Sequence, residues 1–362
     1  MKLKFYLSVF AVGIIAISSC KKADVLPINK RALANTLSSD TDIYAAGYET
    51  VPGTFNSTQP VYWKNGVLNK LPENTSGVAN DIAVQNGDVL VAGTEVFDNQ
   101  TGATQAFYWR NGVKTVLAQN ATATRILVDS SGTNVYIVGS IGQVGSLAQT
   151  ACYWKNGVVH LLPCNGPGTG NVEVANDIVI KGNDIYVAGV VQSISSGQQY
   201  AVFWKNDQVQ FLPEEQTTGD AEGIFVNGAD VYIAGYSGSL PTVWKNGVPG
   251  TLPGSTAQGF VAAAVRVTFV GNDEYVAGNN NVSGEGVYWK NKVMTSLSNS
   301  AYTARPALCM AVLGNSFYIG GSVTPTAGPA ASIPAYWKNG VLTRLPYDSN
   351  GAVQGITAVL HH

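Results

Sequence analysis

The sequence predicts an all-β fold: a seven-bladed β-propeller of four-stranded antiparallel blades, closed by the C-terminal strand. Three observations predict it. All seven tryptophans, Trp63, Trp109, Trp154, Trp204, Trp244, Trp289 and Trp337, sit in one repeated phrase and are spaced 46, 45, 50, 40, 45 and 48 residues apart. A second phrase alternates with the first, from "DIYAAG" at 42 and "DVLVAG" at 88 to "DEYVAG" at 273 and "SFYIGG" at 316. Only strand and turn signals lie between them, and a β-only period of roughly 40–50 residues marks a propeller or a β solenoid.

Each period holds four strand signals. The second unit shows them well: "ANDIAVQ" (79–85), "DVLVAGTEV" (88–96), "QAFYWR" (105–110) and "VKTVLA" (113–118). Asn86-Gly87 separates the first two, a longer loop the middle two, and Asn111-Gly112 the last two. Asn-Gly suits a type I′ hairpin turn, whose two central residues need positive φ. Asn206-Asp207 and Asn291-Lys292 depart from that pattern and predict strained or longer turns. The fourth strand usually ends in Leu-Pro, at Pro72, Pro163, Pro213, Pro253 and Pro346, and proline is tolerated at an outer edge.

The ends predict closure. The first unit starts at its second strand, "DIYAAGYE" (42–49), while "AVQGITAVL" (352–360) is left over after the seventh. The expectation is that residues 354–360 pair with 43–48, with Ile356, Ala358 and Leu360 on one side and Gly355, Thr357 and Val359 on the other. "ALANTLSS" (32–39) is the rival first strand and is more polar. Trp and the aromatic before it (Tyr62, Tyr108, Tyr153, Phe203, Tyr288, Tyr336) point to opposite faces of a strand. Each therefore packs on a different neighbouring blade, and each buries roughly 150–250 Å².

The N-terminus gives an address. "MKLKFYLSVFAVGIIAISSC" has Lys2 and Lys4, an apolar run from Phe5 to Ile17, then Ser18, Ser19 and Cys20. A short apolar core behind a basic start is a secretory signal. Its end resembles a bacterial lipobox, which implies acylation of Cys20 and anchoring at a membrane, most simply the outer one. Residues 1–20 are then signal and lipobox, 21–40 a flexible tether, and 41–362 the propeller. Loss of Lys2 and Lys4 takes the net charge from −2 to −4. A weakly acidic chain with 12% charged residues has no basic stripe for a phosphate backbone, which excludes nucleic acid. Beyond Cys20 stand Cys152, Cys164 and Cys309. Cys152 falls opposite Leu161 in the hairpin register and Cys164 beyond it, so free thiols are expected over a Cys152–Cys164 bridge. No C-x-x-C occurs and the histidines, His160 and the terminal His361 and His362, suggest no metal site, so neither metal nor other cofactor is expected.

"QAFYWRNGV", "AVFWKNDQV" and "PAYWKNGVLTRLP" resemble the bacterial extracellular HAF repeats. The likeness covers most of residues 41–346 and lacks the histidine of that repeat; Gln105, Tyr200 and Pro334 stand nearby. It implies an exported repeat protein and brings no defined activity.

The tight turns share one face, and the variable connections, including 49–59, 97–104, 141–150 and 324–333, share the other. Function usually sits on variable loops of a rigid scaffold, so the loop face is the candidate binding face. Aligning the units puts Asp81, Arg125, Asp177, Gly223, Arg266 and Cys309 at one position lining the channel, with Glu222 one residue earlier. These charges make either a polar ligand pocket or a set of structural ion pairs such as Asp81–Arg125. Tyr302 and Tyr347 fall in connecting loops, where they would stack on a ligand or pack the loop. No G-x-S-x-G, H-E-x-x-H or P-loop occurs. The expected function is thus a non-enzymatic, monomeric binding module for a glycan, a peptide or an envelope protein. A hydrolase or lyase using Glu222 and Asp177, and a purely structural role, are the alternatives.

Overall fold

The computed structural model describes residues 41–54, 57–72, 76–98, 102–143, 146–164, 171–213, 218–253, 263–280 and 283–361. The signal, lipobox and tether expected over residues 1–40, and the rival strand at 32–39, lie outside the described residues.

Among the described residues there are strands and turns and no helix. The strands run β1 (Thr41–Thr50), β2 (Thr58–Lys64), β3 (Val67–Lys70), β4 (Gly77–Gln85), β5 (Asp88–Asp98), β6 (Ala103–Arg110), β7 (Val113–Gln119), β8 (Ala121–Val128), β9 (Val135–Gly142), β10 (Gln149–Lys155) and β11 (Val158–Leu161). They continue as β12 (Asn171–Lys181), β13 (Asp184–Ser193), β14 (Gln199–Lys205), β15 (Gln208–Phe211), β16 (Gly219–Asn227), β17 (Asp230–Ser237), β18 (Leu240–Lys245) and β19 (Val248–Thr251). The last are β20 (Ala264–Val270), β21 (Asp273–Asn279), β22 (Gly286–Lys290), β23 (Val293–Ser296), β24 (Tyr302–Ala304), β25 (Cys309–Leu313), β26 (Ser316–Pro325), β27 (Ile333–Lys338), β28 (Val341–Arg344) and β29 (Gly351–Leu360). Consecutive strands pair antiparallel in groups of four, such as β4-β5-β6-β7 and β16-β17-β18-β19. The groups β8–β11 and β12–β15 are joined into one sheet by a single parallel pair, Gln149 with Val172.

The exception to sequence order is β29, which pairs antiparallel with β1 from Thr41–Leu360 to Glu49–Gly351. The strand starts three residues earlier than expected, and its register shifts between Ala46 and Gly47. Ile356 and Ala358 face the core shared with the β26–β28 sheet, and Val359 packs on the other side. Leu360, expected beside Ile356, is 59% exposed at the chain end.

The repeated phrases now have causes. Each Trp packs on the preceding unit and each partner aromatic on the following one: Trp154 joins the core with β4–β7 residues, and Tyr153 the core with β12–β15 residues. The indoles also donate. Trp204 Nε1 reaches the carbonyl of Pro163 (2.9 Å), Trp244 that of Pro213 (2.7 Å), Trp289 that of Pro253 (2.8 Å), Trp337 that of Leu297 (3.0 Å) and Trp63 that of Pro346 (2.7 Å). The Leu-Pro ending is therefore more than an edge guard. Its Leu is buried between units, and at Pro163, Pro213, Pro253 and Pro346 its Pro carbonyl accepts from the next Trp.

The Asn after Trp-Lys closes each hairpin. Asn246 has φ 52°; its Oδ1 accepts the Val231 N–H at 2.9 Å, and its Nδ2 donates to Asp230 at 2.7 Å. Asn65, Asn111, Asn206 and Asn291 repeat the arrangement. The turns Asn206-Asp207 and Asn291-Lys292 keep the two-residue length. Asp207 and Lys292 adopt φ 64° and 67°, so the departure from Gly is met by strain and not by a longer loop. One connection expected to be tight is not: residues 129–134 separate β8 from β9, folded around the Asp129 carboxylate.

Candidate functional site

The site residues sit where the first strand of each unit bulges. In β4, β8, β12, β16 and β20 the register shifts by one residue, just before Asp81, Arg125, Asp177, Gly223 and Arg266. The extra residue turns outward to the next unit: Asn80 Nδ2 donates to the Ala123 carbonyl (2.7 Å), Thr124 Oγ1 to Ala175 (2.6 Å) and Asn176 Nδ2 to Ala221 (3.1 Å). Across each bulge stands the glycine of the second phrase. A Cβ on Gly47, Gly93, Gly139, Gly189, Gly235 or Gly278 would collide with a carbonyl of the strand opposite, so glycine is required for a bulge to sit there. The aligned positions in β25 and β29 are Cys309 and Gly355.

The inner strands touch in succession: β29 with β4, β4 with β8, β8 with β12, β12 with β16, β16 with β20, β20 with β25, and β25 with β29. Their bulge positions therefore face neighbours on both sides. Arg125 Nη1 lies 3.3 Å from Asp81 Oδ1, and its Nε lies 3.2 Å from Asp177 Oδ1. Arg266 Nε is 4.0 Å from Asp177 Oδ2 and makes no hydrogen bond among the described residues. Its Nη1 donates to the carbonyls of Glu222 and, at 2.8 Å, Val265. The carboxylates also bind backbone of the next strand: Asp81 Oδ2 accepts the Ile126 N–H and Asp177 Oδ2 the Ile224 N–H, each at 3.0 Å. The sequence-predicted Asp81, Arg125, Asp177 and Arg266 thus form one chain of alternating charge.

Burial sets the protonation of this chain. It raises the Asp81 carboxyl above its ordinary value, against the pull of Arg125 and the Ile126 N–H. It raises Glu222 as well, with Arg266 opposing and Asp177 adding to the rise. Burial works against the Arg125 guanidinium, but Asp81 and Asp177 outweigh it and hold the proton more firmly. Arg266 moves the other way, under burial and the nearby Arg125. Cys309 is buried beside them and its thiol is pushed up to about 12 by desolvation, so it is an inert neutral group.

The two tyrosines are elsewhere. Tyr302 is not in a loop: the first strand of its unit is broken in two, and Tyr302 begins β24. The interruption contains Pro306, which has no N–H to give the ladder. The Arg344 guanidinium lies over the Tyr302 ring, 5.0 Å from its centre. Tyr347 follows β28, and both rings are half-buried against the core shared by the β20–β23 and β24–β28 sheets. Cys152 pairs with Leu161 as expected, and no disulfide joins Cys152, Cys164 and Cys309.

Sequence reasoning missed a second set of buried polar groups near the loop ends of the strands. Glu49 lies 3.8 Å from Lys70 and accepts the Asp348 N–H at 2.7 Å. Glu95 is engaged by Lys114 and Gln105. Glu173, 9% exposed, has its carboxyl pushed up to about 6 by burial, opposed by the Ala151 N–H. The only sequence signal was an acidic residue two positions past the strand glycine in Glu49 and Glu95.

No family model matches the chain, and no curated protein matches it. Among solved structures, a Mycobacterium tuberculosis puromycin-hydrolyzing peptidase is similar over 84% of this chain and 52% of that one, at 10% identity and a TM-score of 0.51. A chain of a nidogen/laminin complex is similar over 74% of this chain and 94% of that one, at 12% identity and a TM-score of 0.43. Trypanosoma rangeli sialidase with 2,3-difluorosialic acid follows over 84% and 59%, at 10% identity and a TM-score of 0.44. The chain spans about half the length of the peptidase. Four-stranded antiparallel sheets repeated along the chain, together with the peptidase likeness, give this protein a β-propeller-type fold.

Proposed function

We propose that this chain is a seven-bladed propeller, closed by β29, that acts as a non-enzymatic binding module through its loop face. Its partner is a glycan, a peptide or another envelope protein, and a lipid on Cys20 holds it, as a monomer, at the bacterial envelope. Seven apolar cores, each shared by two successive units and one of them by the last and the first, support the blade count and the closure.

One observation carries the non-enzymatic reading. Asp177 has one oxygen on Arg125 and the other on the Ile224 N–H, and Asp81 is held likewise by Arg125 and Ile126. A hydrolase built on Glu222 and Asp177 needs the second carboxylate free to attack or to activate water, and this one is engaged as a strut. The address rests on the lipobox resemblance.

Glycan and peptide arrays probed with the mature protein test the binding reading. Retention of a discrete ligand set, with no glycoside or peptide bond cleaved on prolonged incubation, is the expected result. Turnover abolished by Glu222→Gln would reverse it. For the anchor, mass spectrometry of the mature protein should show acyl chains on Cys20 that vanish in Cys20→Ala; an unmodified Cys20 contradicts the lipoprotein reading.

A further inference from the structure

Between the first and second units lies a cavity of about 250 Å³, lined by Tyr62, Leu71, Val89, Val91, Trp109, Asn111 and Gly112. It coincides with a break in the repeat. Five tryptophans, among the described residues, donate their indole N–H to a carbonyl at the end of the preceding unit. Trp109 does not. Its side chain is 3% exposed, and its Nε1 is buried without a hydrogen-bond partner among the described residues. A buried donor left unpaired is destabilising, so a partner from outside the chain would gain a hydrogen bond that the fold has left open.

The surroundings hold the indole in place. Phe107 meets it edge-on, with ring centres 6.1 Å apart at 85°, and the Lys114 ammonium lies 6.0 Å over the ring. The Asn111 amide in the lining is already engaged: it accepts the Val89 N–H and donates to Asp88. Leu71, Val89 and Val91 make an aliphatic wall, and Tyr62 an aromatic one. The lining carries no formal charge, so an ionic ligand would lose its hydration with nothing to replace it. The volume is below the ~300–1,000 Å³ of sites for drug-sized ligands, which limits the occupant to about one ring.

We infer that this cleft binds a neutral single-ring molecule of the pyranose class, with a ring or hydroxyl oxygen accepting the Trp109 N–H and a C–H face against the aliphatic wall. The site is separate from the loop face, because Asn111-Gly112 is a turn between third and fourth strands.

The test is a titration of the protein with methyl glucoside, galactoside and mannoside, following the seven indole N–H resonances by NMR and the affinity by calorimetry. The Trp109 resonance should move saturably with at least one glycoside while the other indoles stay still. Trp109→Phe, which keeps a ring and removes the donor, should weaken binding roughly 3- to 10-fold, the range of one net hydrogen bond. Val89→Phe, which fills the space, should abolish it while the remaining indole resonances keep their folded positions. A Trp109 resonance that moves with none of the glycosides, or binding unchanged in Val89→Phe, overturns the inference.

Discussion

The protein uses Asp with Lys or Arg in two regions, and the two differ in every physical respect. On the turn face the pairs are repeated and exposed: Lys205–Asp184, Lys245–Asp230 and Lys290–Asp273 span 2.8–3.2 Å, with Lys side chains 43–52% exposed. Each pair closes its own hairpin, and each Lys also lies over a Tyr ring of the same unit, at 5.1–5.5 Å. Around the channel the groups are irregular and buried, and each joins different units: Asp81, Arg125, Asp177 and Arg266 come from four strands, with side chains 4–15% exposed. Repetition marks what every unit needs in order to fold. The irregular charges pair only between units, in the order in which those units follow one another.

That contrast is sharpest at Asp177. Asp177→Ala leaves Arg125 short of one of its two carboxylates, Arg266 without its nearest one, and the Ile224 N–H without an acceptor. The expected loss is about 3–5 kcal/mol by urea denaturation; a loss under about 1 kcal/mol would make the channel no different from the turn face. Gly355→Ala comes next. A Cβ there would stand 2.5 Å from both Asp81 Cα and Oδ1, and overpacking of that kind costs about 1–3 kcal/mol. A neutral effect would mean that β29 does not press on β4.

Glu173 tests burial with no cationic partner among the described residues. Its carboxyl titrates at about 6 in the fold against 4.5 for the ordinary group. The folded state therefore keeps a proton that the unfolded chain has released. The resulting stabilisation is full below about pH 4.5 and is lost as pH rises through 6, a change of roughly 2 kcal/mol from this group alone. Glu173→Gln should flatten that part of the stability–pH curve; an unchanged slope would contradict the assignment. The smallest effect belongs to the turn face, where Lys245→Ala removes an exposed, solvent-screened pair and should leave the urea midpoint essentially unchanged.

Much of this is legible in the sequence because the repeat writes its own alignment. Counting from the strand glycine is enough to place Asp81, Arg125, Asp177 and Arg266 at one level of the channel, and the Trp phrase sets the hairpin that puts Cys152 opposite Leu161. What stays hidden depends on neighbours far along the chain. The Pro346 carbonyl meets Trp63 across 283 residues, and nothing local marks Trp109 as an indole whose N–H has no partner among the described residues. Whether opposite charges in a channel greet a ligand or each other is decided by ångströms between strands, and composition does not carry that distance. Tyr302 reads as a loop residue because Pro306 splits its strand, while both halves keep their partner β26.

β29 pairs with β1 and is the strand proposed to join the last unit to the first. Deleting residues 351–362 strips β1 of its ladder from Thr41 to Glu49 and removes Val353, Ile356 and Ala358 from the core that holds Trp63 and Tyr318. Thermal unfolding of that deletion, beside Ile356→Asp, is the most direct measurement. The prediction is loss of the cooperative transition in the deletion and a nearly equal fall in Ile356→Asp, where a charge is buried without a partner. A deletion protein as soluble as the full chain, and melting at the same temperature, would contradict closure by β29 and with it the count of seven blades.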